Sequence, residues 1–224
     1  MILVTFAVPQ ESREFVSRLR HTGPLGHVLV GNLGCEEIAV LHTGMGADAA
    51  RDATRRTLAE LRPDRVIASG FAGGLDPALE FGQLIVAENL STPALLAREP
   101  AGARRVRLAS VESPLDTPAD KSRIRAATGA DAVDLESAAI AEVCATAAIP
   151  LLVLRIISDA AGESLPLPSG VAYDIEHQRI RPLAILNHLL TEPVAVTPLI
   201  SFAHRLPDLQ RALADALAAV ISDQ

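Results

Sequence analysis

Short apolar runs alternate along this chain with longer polar stretches in which apolar side chains recur every three or four positions. Residues 2–6 read as a strand, and residues 10–20 as a helix with Phe15, Val16 and Leu19 on one face. Residues 28–32 and 37–42 form a strand pair with a turn near Gly34. Residues 48–61 are helical, and Pro63-Asp64 ends that helix ahead of a strand at 65–69. Strands follow at 83–89 and 106–110, then a helix at 118–128 opened by the turn chemistry of Asp116-Thr117-Pro118. The runs 132–135 and 150–157 read as short buried strands, separated by an Ala-rich helix at 136–146 that is small enough to pack closely on a sheet. After a Gly/Pro/Ser-rich loop at 162–170, three helical stretches near 176–190, 197–205 and 208–221 close the chain. With no internal repeat and no break in composition, residues 1–224 read as a single α/β domain. Its expected form is a central twisted mixed β-sheet flanked by helices.

Composition narrows what such a domain does. A chain of 224 residues supports one sizeable core. Hydrophobic residues make up 49%, yet no uninterrupted apolar run approaches the roughly 18–20 residues of a membrane span. The N-terminus enters a strand without a basic segment and apolar run ahead of it, which argues against a secretory signal. Cys35 and Cys144 belong to no CxxC or Cys/His cluster and read as small buried side chains in a reducing cytoplasm. A formal charge of −7 argues against a nucleic-acid surface, because neutralising phosphates needs clustered Lys and Arg. The densest basic stretch, residues 98–107, is broken by Pro100 and Gly102 and reads as a solvated loop or strand edge. Aromatic residues at 3%, without Trp, make a base-stacking platform a poor fit as well. His42, His177, His188 and His204 lack metal-ligand spacing, so no metal is expected. The chain has no GxGxxG, no phosphate loop and no G-x-S-x-G elbow, so no cofactor is expected either. Small-molecule chemistry remains.

Two carboxylates stand where that chemistry is commonly placed. Glu136 follows the apolar run 132–135, and Asp159 follows 150–157; the ends of strands in an α/β sheet are where ligands are held. A carboxyl just past a buried strand is partly desolvated, which raises its pKa and suits it to holding a proton near neutrality. Asp and Glu also cap helices at such turns, so position alone leaves both readings open. Glycines supply a second signal. Gly44 and Gly46, between a strand and a helix, allow positive φ and close backbone approach, and their N–H groups would favour an anion or a polarised water. Gly70, Gly73 and Gly74 would do the same in a second loop, unless they are ordinary turn glycines.

Five segments taken in order carry a resemblance. They are Ala7-Val8-Pro9-Gln10-Glu11, Thr43-Gly44-Met45-Gly46, Ser69-Gly70-Phe71-Ala72-Gly73-Gly74-Leu75, Val133-Asp134-Leu135-Glu136-Ser137-Ala138-Ala139 and Ile157-Ser158-Asp159. Together they resemble the nucleoside phosphorylase-I superfamily, nearest to the nucleosidases acting on methylthioadenosine and S-adenosylhomocysteine. The segment 117–138, with Glu163-Ser164-Leu165-Pro166, resembles a shorter branch associated with hopanoid synthesis, whose substrate is adenosylhopane. The resemblance implies cleavage of an N-glycosidic bond. Asp159 matches the residue that protonates N7 of the leaving purine, Glu136 the residue that holds the ribose hydroxyls, and Glu11 the carboxylate that activates water. Leu135, Ser158, Phe71, Ala72, Gly73, Gly44 and Met45 match substrate-binding positions, and Asp134 reads as structural.

Glu11 also bears on the nucleophile. Phosphorylases of the superfamily bind phosphate with arginines, one of them in an N-terminal glycine loop that this chain lacks. A glutamate there repels phosphate and suits water, so hydrolysis is expected; Arg13, one turn into the helix, is the residue that would reverse that reading. The stretch between Gly82 and Asp134 is short for a methylthioadenosine nucleosidase and holds no aromatic residue over 90–128, while Phe71 stands where the family has a small residue. These departures imply an open pocket that accepts large apolar 5′ groups. The resemblance further implies a homo-oligomer, expected as a dimer; the apolar faces of Leu186, Leu189 and Leu190 and of Leu209, Leu213, Leu217 and Val220 read as interface or as core, with the regular spacing of the second favouring core. The competing readings are a phosphate-dependent nucleoside phosphorylase and a non-catalytic nucleoside-binding protein.

Overall fold

The computed structural model describes residues 1–174 and 178–222. The first half runs β1 (Ile2–Phe6), α1 (Pro9–Ser17), β2 (Arg20–Leu25), β3 (Val28–Leu33), β4 (Glu36–His42), α2 (Ala47–Leu61), β5 (Arg65–Gly74), β6 (Leu84–Ala87), α3 (Pro93–Leu96) and β7 (Arg104–Val106). The second half runs β8 (Leu108–Ser110), α4 (Pro118–Thr128), β9 (Ala132–Asp134), α5 (Ser137–Thr146), β10 (Leu151–Asp159) and α6 (Ser169–Ala172). A small hairpin of β11 (Tyr173–Asp174) and β12 (Arg179–Ile180) then leads to α7 (Pro182–Thr191) and α8 (Val196–Ser222).

Ten strands form one mixed sheet in the order β2-β3-β4-β1-β5-β10-β6-β7, with β9 attached to β5 and β8 to β9. This is the expected α/β architecture. Its centre is a parallel run of β4, β1, β5 and β10, so these four strands end at the same edge. Strand β9 joins that edge antiparallel to the last residues of β5, pairing Val133 with Gly73.

Strand side chains alternate between two cores, as the period of two requires. Leu3, Val66, Ala68, Leu151 and Val153 pack under α2 and α5, with Ala50, Ala53, Ile140 and Val143. Ile2, Val4, Phe6, Ile67, Leu152, Leu154 and Ile156 pack under α1 and α8, with Phe15, Leu209, Leu213 and Leu217. Covering both faces explains why the central strands are almost wholly apolar. In β10 the polar residues are Arg155, which is 2% exposed within the strand, and Ser158 and Asp159 at its end.

Several boundaries differ from expectation. Strand β5 continues past Ser69 to Gly74, and β10 runs through Asp159, because each keeps a hydrogen-bonded partner to that point. The single strand expected at 106–110 is two, β7 and β8, which pair with different neighbours. The expected stretches 197–205 and 208–221 are one helix that continues through Pro207. A proline inside a helix costs about 3 kcal/mol, and burial of the seven residues from Leu209 to Ile221 outweighs it. The stretch expected at 176–190 begins only at Pro182; its residues 176 and 177 lie outside the described residues. Strand β2, with five of its six residues exposed, gave no apolar pattern to read. Cys35 is exposed beside the Gly34 turn, contrary to expectation, whereas Cys144 is buried; both are free thiols.

Of the two apolar faces named above, Leu209, Leu213, Leu217 and Val220 are core, while Leu186 and Leu190 are 54% and 72% exposed. Among the described residues no single helix is long and apolar enough to cross a membrane; α7 and α8 meet that measure only jointly, across a bend of 114°.

Candidate active site

Every charged side chain buried among the described residues lies around one cavity or directly behind it. They are Glu11, Lys121, Asp134, Glu136, Arg155 and Asp159. Burying charge is costly unless it is paired, so a cluster of this kind points to chemistry rather than to stability.

Glu11 sits in the first turn of α1, just past β1, and its carboxylate folds back onto the chain. Its Oε2 accepts from the Ala7 and Val8 amides at 2.9 and 3.4 Å, and its Oε1 accepts from the Phe71 amide at 3.0 Å. Helix α1 and strand β5 thus share one side chain. Burial raises the Glu11 pKa, and the Arg155 charge and these three amides pull it back. Glu136 occupies the N-cap of α5, where its Oε1 accepts from the Gly46 amide at 2.8 Å. Its pKa rises from 4.5 to about 7, chiefly through burial and next through the charge of Asp134, with Arg155 and the Gly46 amide opposing.

Arg155 connects these acids. Its Nη2 lies 2.8 Å from Asp134 Oδ2 and donates to Ser137 Oγ at 2.9 Å. Asp134 is fixed in turn by Ser110 Oγ at 2.6 Å and the Ser137 amide at 3.2 Å, the structural part expected of it. Across the strands Arg155 pairs with Gly70, whose φ is +145°. A Cβ on Gly70 would come within 2.5 Å of Arg155 Nη1 and 2.9 Å of Glu11 Oε1, so only glycine leaves room for both.

Asp159 ends β10. Its Oδ1 accepts from Ser158 Oγ at 2.6 Å, and its Oδ2 lies 2.5 Å from Lys121 Nζ. Lys121 comes from α4, which starts at the Thr117 cap, where Thr117 Oγ1 accepts from the Asp120 amide, and stops at left-handed Gly129. Burial raises the Asp159 pKa, against the lowering pull of Lys121 and Ser158.

The sequence profile of the phosphorylase superfamily matches residues 2–100 and 94–191. The chain belongs to the phosphorylase superfamily. The 5′-methylthioadenosine/S-adenosylhomocysteine nucleosidase of Geobacillus kaustophilus is 31% identical over 178 residues, spanning 64% of this chain and 74% of that protein. Its counterpart in Tolumonas auensis is 28% identical over 170 residues, 61% of this chain and 74% of that protein. Among solved structures, futalosine hydrolase of Helicobacter pylori superposes with a TM-score of 0.73 at 19% identity, covering 100% of this chain and 99% of that one. The nucleosidase of Neisseria meningitidis, solved with methylthio-immucillin-A, reaches 0.75 at 19% identity with the same coverage. Identity that low speaks to the fold alone; the sequence matches carry the family.

In this superfamily member the cavity holds about 380 Å³ and is lined by Glu11, Met45, Phe71, Ala72, Gly73, Leu135, Glu136, Ser158 and Asp159, all of them anticipated. Gly44 does not line it: its amide donates to Ala7 O at 3.0 Å, and Gln178 packs over it. The amides of this turn are already taken within the chain: that of Gly44 by Ala7 O, that of Met45 by Gln178 Oε1 at 2.7 Å and that of Gly46 by Glu136 Oε1 at 2.8 Å. Gly70, Gly73 and Gly74 belong to β5 rather than to a loop, and only Gly70 has positive φ. Gly73 still matters by size, since a Cβ there would sit 3.2 Å from Asp159 Oδ2.

Sequence reasoning missed Lys121 and the far wall. Phe202 and Leu206 of α8, with Leu165, close the cavity beside Val111, Pro114 and Leu115. The aromatic rings at the cavity are those of Phe71 and Phe202, neither of them from 90–128. Arg13 is exposed, and His42 lies behind the site, its Nε2 2.8 Å from Ser12 Oγ, with burial lowering its pKa.

Proposed function

We propose that this chain is a nucleosidase that hydrolyses the N-glycosidic bond of a 5′-substituted adenosine and releases free adenine. The observation that carries the reading is that every charged side chain buried among the described residues lies around one cavity or directly behind it, with three acids whose proton affinities are raised. Glycosidic cleavage passes through an oxocarbenium-like sugar, so the site must neutralise the departing base and stabilise positive charge on the ring. Asp159 donates its proton to N7 of the purine as the C1′–N9 pair moves to the base. Glu136 accepts hydrogen bonds from the ribose hydroxyls, which tighten as the ring becomes cationic. Glu11, anchored through three amides, takes the proton of the water that attacks C1′. Leu135, Phe71, Ala72, Gly73, Met45 and Ser158 shape the walls around base and sugar.

Water is favoured over phosphate because Arg155, the one arginine buried among the described residues, is held by Asp134 and Ser137 and faces Glu11. An anion beside Glu11 and Glu136 would meet repulsion. The apolar wall of Val111, Pro114, Leu115, Leu165, Phe202 and Leu206 suits an apolar 5′ substituent of the methylthioadenosine or adenosylhopane type better than the zwitterionic homocysteine of S-adenosylhomocysteine. The chain acts in the cytoplasm as a homodimer, with Leu183, Leu186 and Leu190 of α7 as the exposed apolar face that a second copy would cover. Base release from adenosine, methylthioadenosine, S-adenosylhomocysteine, futalosine (whose base is hypoxanthine rather than adenine) and a long-chain 5′-alkyl adenosine tests the reading. The 5′-apolar adenosines should be preferred; adenine release from none of the panel would refute it.

A further inference from the structure

Lys121 is the buried cation that the reaction above does not use. It is 1% exposed, and it is the nearest cation to the proposed acid. Its Nζ has three oxygens around it: Asp159 Oδ2 at 2.5 Å, Ala160 O at 2.7 Å and Glu163 O at 2.9 Å. Each of these is an acceptor. A neutral amine has two N–H groups and a lone pair, which would have to face one of the oxygens; an ammonium has three N–H groups and satisfies all of them. The two carbonyls belong to the turn that leaves β10, so the lysine ties α4 to the backbone just past the acid as well as to the acid itself.

Other charge around Asp159 is accounted for. Glu163 is the further acid that acts on it, and its carboxylate is occupied by the Ala160 amide at 2.9 Å and by Arg205 of α8 at 3.3 Å. Ser158 covers Oδ1, and β5 contributes the uncharged Gly73. Lys121 is therefore the one cation in direct contact with the carboxyl among the described residues.

Resting on the nucleosidase reading, we propose that Lys121 is a positioning residue for proton delivery. Its ammonium holds Oδ2 of Asp159, so that Oδ1 exchanges the proton with the base, and it offsets the negative charge that Asp159 acquires on donation. The proton balance is closed. Asp159 Oδ1–H gives its proton to N7 while the C1′–N9 bond breaks, the bonding pair leaves with adenine, and Asp159 becomes a carboxylate paired with the ammonium. The water oxygen bonds to C1′ and its proton passes to Glu11; solvent then returns a proton to Asp159 and takes one from Glu11. Before donation, Ser158 Oγ accepts from Oδ1–H and turns its own hydrogen toward Ala72 O, 3.4 Å away.

The test compares wild type, Lys121→Met and Lys121→Arg by the pH dependence of kcat/KM on an adenine nucleoside, and by ¹³C NMR titration of the Asp159 carboxyl, assigned with Asp159→Asn. Removing the cation should lower kcat about 10²-fold, the loss seen when one preorganised electrostatic partner is removed. It should also move both the alkaline limb and the carboxyl titration to higher pH, because Asp159 then holds its proton more tightly. Lys121→Arg should restore most of both. Turnover within twofold of wild type in Lys121→Met would overturn the proposal, and so would an equal loss at every pH with the titration unmoved. If circular dichroism finds Lys121→Met unfolded, Lys121→Gln against Lys121→Arg decides on the same criteria. A wild type that releases no base while the carboxyl titration still shifts would refute the nucleosidase reading and leave the pairing standing; an unshifted titration in an active enzyme would refute the role of Lys121 alone.

Discussion

Glu136→Gln should stabilise the protein at alkaline pH while disabling it. Glu136 is 6% exposed, and its pKa rises from 4.5 to about 7, through burial first and the Asp134 charge second. At ~1.4 kcal/mol per tenfold change in proton affinity, that displacement corresponds to about 3 kcal/mol. The sign follows from linkage. The folded pKa lies above the unfolded one, so the favourable contribution of the protonated carboxyl is fully present below about pH 4.5. It is lost as pH rises toward 7, and at pH 8 the folded protein carries a buried carboxylate that the unfolded chain solvates freely. Glutamine keeps the size, keeps an oxygen for the Gly46 amide and removes the ionisation. Its gain over wild type should therefore be small at pH 5 and approach 3 kcal/mol at pH 8, a rise in Tm on the order of 5–10 °C for a chain of this size. Calorimetric melts of both proteins at the two pH values measure the difference. An equal change in Tm at both pH values, or a loss at pH 8 alone, would refute the account of Glu136.

Asp159→Asn keeps the shape but cannot deliver a proton, so adenine release should fall by about 10²–10⁴-fold while an inert nucleoside analogue binds nearly as before; turnover within a factor of two would show that Asp159 is not the acid. Gly70→Ala should lower kcat by about 10²-fold, because its Cβ would enter the space of Arg155 Nη1 and Glu11 Oε1; steady-state kinetics beside a thermal melt separates that from unfolding. Wild type should run as a dimer in light scattering and the Leu186→Glu, Leu190→Glu double variant as a monomer; a monomeric wild type would remove the α7 interface.

Much of this site was legible because its acids follow strands. Glu11, Glu136 and Asp159 each stand at or just past a buried strand; parallel pairing of β1, β5 and β10 brings two of them to one edge, and antiparallel pairing of β9 with the end of β5 adds Glu136. Arg155, the one charge inside the eight-residue run from Pro150 to Ile157, was not read as part of the site, although a charge inside a buried strand is the signal that could have found it. Lys121 gave no such signal: it lies on a polar helix beside Asp120 and Arg123, and only tertiary packing makes it the buried member. The far wall was illegible for a related reason. Phe202 and Leu206 stand more than forty residues past Asp159, in a helix whose Pro207 reads as a stop. The strand pattern likewise misplaced the glycines 70, 73 and 74, since glycine marks loops by default and here permits close approach between strands.

The central claim is that water, not phosphate, attacks the sugar. It is tested most directly by following adenine release from the preferred 5′-substituted adenosine in phosphate-free buffer and again with millimolar phosphate, with mass spectrometry of the sugar product. The account predicts equal rates and a free sugar in both. Release that requires phosphate and yields the sugar 1-phosphate would contradict it.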